Sequence, residues 1–309
     1  MRLIAHSGQW FLYHLAPFSS EYFRRISIEL RIVDGGLPVH KTGPLRPVCD
    51  TGSGVRRLLI RPGAIGDFIL SLPALECLRA DYTEVWTAPQ NVPLAQFADC
   101  ARSIPSTGLD LLGVTDPGPR LLAELSSFDS IISWYGSNRQ DFRRYVRDLG
   151  LPFTFFAALP RDSTVHAAYF YLDQARSLVC CDSDGIPRIP CPAARENFAV
   201  IQPFSSNRGK DWPLDRFRLI AATLERRIPV HWCRGPEDPP LAGAVTMDNL
   251  WDLACWLARA SLYIGNDSGI THLAAAVGTP TLALFGPTDP AVWAPRGPNV
   301  RVANFKTYT

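Results

Sequence analysis

SLYIGNDSGITHLAAA (residues 261–276) decides how this chain is built. Residues 261–264 are a short apolar run of the kind that lies buried in the middle of a parallel sheet. The alanine-rich end of the stretch has the composition of a helix. Between the two, Asp267, Ser268 and Gly269 supply a turn and a helix start, because short polar side chains suit a first helical turn and glycine lets the backbone bend sharply. The amides and hydroxyl of that turn are then open to a phosphate or a sugar. His272 follows one turn later, on the helical face of Ser268. A lone histidine is usually structural. An acid, a hydroxyl and a glycine beside it at a strand-helix junction favour a functional reading.

The same strand-turn-helix unit recurs outward in both directions. Toward the C-terminus, residues 281–285 read as the next strand, closed by a rigid Gly286-Pro287-Thr288-Asp289-Pro290 turn. Toward the N-terminus, short apolar runs at 58–60, 84–87, 130–134, 198–201 and 229–232 alternate with helical patterns at 68–78, 119–125, 139–149, 165–178, 214–226 and 249–259. Alternation of this kind predicts parallel βα units with right-handed crossovers. The rhythm fails at 181–196, where three prolines and a glycine interrupt mixed polar residues, so the junction between two doubly wound domains is placed there. The expected domains are 55–185 and 186–309, facing a cleft with the carboxyl ends of their strands.

Residues 1–54 have a different character, with an aromatic-rich stretch followed by a run punctuated by glycine and proline. They read as an atypical extension, partly disordered or upstream of the true start. The alternative is an amphipathic segment over 22–32 that touches a membrane surface. Setting aside their six basic and four acidic residues leaves 25 of each in the remainder. A neutral body argues against a nucleic-acid partner, which requires a basic surface. No apolar run approaches the roughly 20 residues of a spanning helix. The eight cysteines form no CxxC pair, and their scatter through a chain of this size fits reduced thiols in a cytoplasmic protein.

Two further loops carry chemistry. Arg61-Pro62-Gly63-Ala64-Ile65-Gly66-Asp67 joins a strand to a helix, and Gly63 and Gly66 allow a ligand close to its backbone. Asp67 falls in the first helical turn, where the dipole favours negative charge. Position alone leaves it either a cap or a reactive carboxylate. GxxGD spacing departs from the GxGxxG of dinucleotide sites. After the strand at 198–201 comes Gln202-Pro203-Phe204-Ser205-Ser206-Asn207-Arg208-Gly209-Lys210-Asp211-Trp212-Pro213. Ser205 and Ser206 as donors and Lys210 as a mobile charge suit a diphosphate, although a solvated surface loop has the same composition.

Together these motifs resemble glycosyltransferase family 9, the heptosyltransferases of the inner core of bacterial lipopolysaccharide. Residues 61–75 (RPGAIGDFILSLPAL) resemble its opening strand-loop-helix, and Lys210-Asp211-Trp212-Pro213 resembles its K-x-W-P loop. Asp267-Ser268-Gly269 through His272, then Phe285-Gly286-Pro287-Thr288, resemble its C-terminal signature, and His166-Ala167-Ala168 with Tyr171-Leu172 resembles the helix ending its N-terminal half.

The resemblance implies a two-domain GT-B fold and an inverting, metal-independent transfer with no cofactor. The donor would be a nucleotide sugar, ADP-heptose by the family's habit. The acceptor would be a lipid-linked saccharide at the cytoplasmic membrane face. Asp67 would be the general base. Lys210, Ser205 and Ser206 would hold the donor diphosphate, and Asp267, Ser268, Gly269 and His272 its phosphates and sugar. Glu237 would sit where the family binds the ribose. Phe204 departs from the small residue usual after that proline, and the fold's closing helix is expected to be missing beyond the last strand. Arg139, Arg143 and Arg144 read either as contacts to an anionic acceptor or as an ordinary solvated helix face. The competing functions are a nucleotide-sugar epimerase or hydrolase on the same fold, and a non-catalytic nucleotide-sugar binding protein.

Overall fold

The computed structural model describes residues 5–6, 9–10, 31–32, 54–114, 118–160 and 164–305. Apart from the three dipeptide strands and Gly54, the extension expected over 1–54 lies outside the described residues, as does most of the amphipathic segment at 22–32. The chain divides into two compact units, one spanning Leu37–Pro187 and the other joining Arg188–Thr309 with Met1–Gly36.

The first unit grows from β1 (Arg56–Arg61), whose Leu58, Leu59 and Ile60 are fully buried. A parallel strand covered on both faces requires such a continuous apolar run rather than an alternating one. There follow α1 (Ile65–Cys77), β2 (Tyr82–Thr87), β3 (Cys100–Ser103), α2 (Gly118–Ser126), β4 (Ser130–Ser133), α3 (Gln140–Asp148), β5 (Phe153–Phe155) and α4 (Ala167–Arg176). The sheet is parallel throughout, in the order β3-β2-β1-β4-β5. Leu58 and Ile60 pack with Leu121 and Leu125 of α2 and Phe142 and Val146 of α3. The chain winds outward from β1 through β2 and β3, then returns past β1 to β4. The loops leaving the carboxyl ends of β1 and β4 therefore diverge, which opens a crevice between them.

The second unit holds β6 (Ala199–Gln202), α5 (Leu214–Leu224), β7 (Val230–Trp232), α6 (Leu250–Arg259), β8 (Leu262–Asn266), α7 (Gly269–Ala276), β9 (Thr281–Phe285) and β10 (Val300–Asn304). Its parallel strands run β7-β6-β8-β9-β10, and Arg31–Ile32 pairs antiparallel with β10. Here the winding reverses between β6 and β8. Ile201, Phe217, Leu224, Ile264, Leu284 and Phe305 meet in its core. The fold is thus the pair of Rossmann-like parallel-sheet domains expected of GT-B.

Three strands escape a reading of apolar runs. All four residues of β3 are half-buried, and Arg102 in its middle pairs with Glu84 and Glu124. β5 is three residues long behind Pro152, and β10 carries Arg301 and Asn304. Edge and near-edge strands tolerate such residues because one side or face is less enclosed.

The expectation of reduced thiols throughout needs correcting. Cys77, closing α1, is disulfide-bonded to Cys181, with a Cα–Cα distance of 5.7 Å. No spacing rule signals a pair 104 residues apart. It arises because α1 and α4 lie side by side and bring the segment after α4 to the end of α1.

Gly136, in the loop after β4, has φ +70°, and a Cβ there would stand 2.4 Å from Cδ1 of Phe142. Phe142 is buried in the core, so neither the ring nor the backbone has room to yield. Gly136→Ala is expected to cost about 2–3 kcal/mol. Thermal unfolding followed by circular dichroism checks this, and a midpoint within a degree of wild type would contradict the tight packing at this turn.

Candidate functional site

In the second unit, the loops after β6 and β8 both emerge at the switch point. Asn266, the last residue of β8, is fully buried and bridges them. Its Nδ2 donates to Pro203 O at 2.7 Å, and its Oδ1 accepts from Trp212 N at 3.0 Å. The loop 203–212 is thereby held at both ends. Within it, the turn Arg208–Lys210 carries Lys210 to the start of the α7 segment, where its Nζ donates to Asp267 Oδ2 at 2.7 Å. The Asp267 side chain is only 7% exposed and that of Lys210 29%, so the pair is shielded from water on one side. Residues 57 positions apart are thus brought into contact.

Ser268 is the N-cap of α7, its Oγ accepting from Thr271 N at 3.3 Å. The same hydroxyl donates to Gln202 Oε1 at 3.0 Å, and Tyr263 OH donates to that oxygen at 2.7 Å. Complete burial raises the Tyr263 phenol well above its usual range, so it stays protonated and keeps donating. The amides of Gly269 and Ile270, first in the helix, have no acceptor inside it, the arrangement that favours anions at helix N-termini. His272 is 5% exposed, and its Nδ1 has no hydrogen-bond partner among the described residues. Burial pushes its pKa down to about 4; Asp267 opposes this and Lys210 adds to it. The ring is therefore neutral near pH 7.

The other residues expected here divide. The Ser205 hydroxyl is engaged inside its own loop, donating to Asp211 Oδ1 at 2.7 Å and lying 2.8 Å from Asn207 O. Asp211 also accepts from Ser205 N at 2.8 Å. Burial raises the Asp211 pKa, against the pull of those bonds. Ser206 is exposed, as is Glu237 beyond β7, and neither joins the Lys210–Asp267 contact. In the Glu237 turn it is Asp238 that accepts from Gly235 N, at 2.7 Å. Phe204 is buried, with the Arg208 guanidinium 5.2 Å above its ring.

In the first unit, Asp67 stands at the third position of α1. The N-cap is Ala64, with no side-chain cap, and the Asp67 carboxylate makes no hydrogen bond among the described residues. It is half-buried. Gly63, at φ +119°, allows the close approach: a Cβ there would lie 3.4 Å from Asp67 Oδ2. Gly66 is the second residue of the helix and bears no strain. The α3 arginines are exposed. Arg139 donates to Tyr135 OH at 3.3 Å and lies over Phe142, while Arg143 lies over Phe155.

Gln202, Asn266, Asp211, Tyr263, Arg61 and Asn91 organise these loops and receive no role from sequence. A partial signal exists: Arg61, Gln202 and Asn266 are polar residues closing apolar strand runs, at the end where sites form. Among the described residues no three His, Cys, Asp or Glu side chains gather as a metal site, and no helix is long and apolar enough to cross a membrane.

The family model of glycosyltransferase family 9 (heptosyltransferase) matches residues 162–308. Lipopolysaccharide heptosyltransferase 3 of Escherichia coli (strain K12) is 32% identical over 122 residues, covering 34% of this chain and 36% of that protein. The chain thus spans about a third of the length of the curated relatives it matches. Among solved structures, a glycosyl transferase family 9 protein from Veillonella parvula DSM 2008 superposes with TM-score 0.64 at 20% identity, over 81% of this chain and 86% of that one. The E. coli ADP-heptose lps heptosyltransferase II gives 0.62 at 17%, over 80% and 90%. These two likenesses are of fold.

The buried neutral state of His272 has a pH consequence. Its folded pKa lies below its ordinary 6.5, so the unfolded chain binds more protons as pH falls from about 6.5 to about 4. Stability contributed by this group is complete above that window and is lost through it. In His272→Gln the unfolding midpoint is expected to fall less steeply over the same range. Equal slopes for the two proteins would place the acid sensitivity elsewhere.

Proposed function

We propose, from the heptosyltransferase family model that matches residues 162–308 and from the partial likeness to curated heptosyltransferases, that this chain is an inverting glycosyltransferase acting on a nucleotide-diphosphate sugar. ADP-heptose is the donor and the core of lipopolysaccharide the acceptor, as the names of the relatives suggest. The observation that carries the reading is the Lys210–Asp267 contact. It joins two separate family-like motifs at the one place in the second sheet where a ligand is expected.

In this reading Lys210 and the free amides at the start of α7 hold the donor diphosphate. They also stabilise the charge that builds on it as the sugar leaves. Ser268 and neutral His272 line the same turn. Asp67, whose carboxylate carries no hydrogen bond among the described residues, accepts the proton from the acceptor hydroxyl as that hydroxyl's oxygen attacks the anomeric carbon. The cations of the chain, rather than a metal ion, neutralise the leaving group. Arg139, the N-cap of α3, and Arg143 and Arg144 on that helix are exposed and meet an anionic acceptor at the cytoplasmic face of the membrane.

Isothermal calorimetry with ADP, UDP and GDP tests the donor site. ADP is expected to bind in preference to the others, and Lys210→Gln to bind it about tenfold or more weakly, the scale of a charge-assisted contact. Absence of binding by all three would reject a nucleotide-sugar site in this chain. Equal affinity of wild type and Lys210→Gln would remove Lys210 from it.

A further inference from the structure

We propose that Arg61 is a positioning residue that holds the Asp67 loop in its working shape; this rests on the reading of Asp67 as the base. Arg61 closes β1 and is 2% exposed, yet it forms no ion pair among the described residues. A buried cation without an anion is unfavourable unless other groups compensate it, and an apolar side chain would fill the same space at lower cost.

What compensates Arg61 is informative. Its NH1 donates to Pro62 O at 3.0 Å and its NH2 to Asp67 O at 3.1 Å. One planar fork thus clamps both ends of the loop that presents Asp67, a geometry lysine cannot reproduce. The guanidinium carbon lies 4.5 Å from the ring centre of Tyr171 and 5.8 Å from that of Trp134, which fix its plane from α4 and from the end of β4. Its Nε has no partner among the described residues, and the Tyr171 hydroxyl is also in side-chain contact with the guanidinium.

The loop needs this support. Gly63 and Gly66 give it little stiffness of its own, and Gly63 stands at φ +119°. Two neighbours add to the clamp: Asn91, fully buried, donates from Nδ2 to Gly63 O at 3.1 Å, and Thr87 Oγ1 donates to Arg61 O at 2.7 Å. The strap from 61 to 67 is therefore held at four carbonyls by three buried side chains, while the carboxylate it carries accepts no hydrogen bond among the described residues. That is the arrangement required of a group whose position matters and whose oxygens must remain available.

A double-mutant cycle on the full chain tests this, following ADP release from ADP-heptose with heptose-free lipopolysaccharide as acceptor. Asp67→Asn is expected to lower kcat by about 100-fold or more. Arg61→Gln is expected to lower kcat by about tenfold or more, with the KM for ADP-heptose within about twofold of wild type. In the Asp67→Asn background Arg61→Gln should cost nothing further, because a residue acting through the carboxylate has nothing left to position. A general structural defect would instead lower activity in both backgrounds. If Arg61→Gln does not fold, the cycle is run with Arg61→Lys, which keeps the buried charge and loses the fork. Wild-type kcat in the Arg61 variant, or losses that multiply, overturn the inference alone. Wild-type kcat in Asp67→Asn overturns the reading of the base, and the inference falls with it.

Discussion

Asn266 uses both ends of a fully buried amide to tie the chain leaving β6 to the end of β8. Such an amide left unbonded would cost about 1–3 kcal/mol, so the loop 203–212 has to come to it rather than wander in solvent. The consequence is one of register. Lys210 lies two residues before the amide that Asn266 accepts from, and Asp267 is the residue after Asn266. Fixing one contact delivers the other, and two segments far apart in the chain present their charges to each other at 2.7 Å. The Gln202–Ser268–Tyr263 bonds repeat the tie one layer deeper, since Gln202 ends β6 as Asn266 ends β8.

The first unit solves the same problem with different residues. Its switch-point loop is also anchored by a polar side chain at a strand's carboxyl end, Arg61, which reaches forward along its own loop instead of across to a neighbour. The difference follows from what each loop presents. A short strap with two glycines can be clamped by one fork, whereas the longer 203–212 segment must be pinned near its ends to a second strand. In both units the anchoring side chain is buried, while Asp67 and Lys210, the side chains it positions, are partly exposed.

How much of this was legible in sequence depended on enclosure. β1, β6, β8 and β9 are enclosed on all sides, so they had to be written as apolar runs, and they could be read as such. β3, β5 and β10 lie toward the sheet edges, where Arg102, Pro152 and Arg301 are admissible, and the apolar signal thins out. The site showed a parallel division. Lys210 and Asp267 could be singled out because each sits in a polar loop that follows an apolar strand run and leads toward a helix. Ser205 and Asp211 have the same composition as a ligand-binding pair, and only the fold reveals that they bond to each other. Arg61 looked like an ordinary strand terminus; its burial between Tyr171 and Trp134 depends on α4 and β4, more than seventy residues away.

The Lys210–Asp267 pair also sets a condition on any ligand at that turn. An anion arriving at Lys210 meets a cation already balanced by a carboxylate, so a singly charged group exchanges like for like and gains little. A diphosphate brings more negative charge and more acceptor oxygens, enough to engage Lys210 and the Gly269 and Ile270 amides together. Displaced from the lysine, Asp267 would face His272, whose neutrality in the unliganded site is maintained by burial and by Lys210 against the pull of that carboxylate. On the proposed reading, the pair would act as a threshold against weak anions. Its cost is small because Lys210 is ordered before the ligand arrives, and the rotamer entropy of that long side chain is already lost in the free protein.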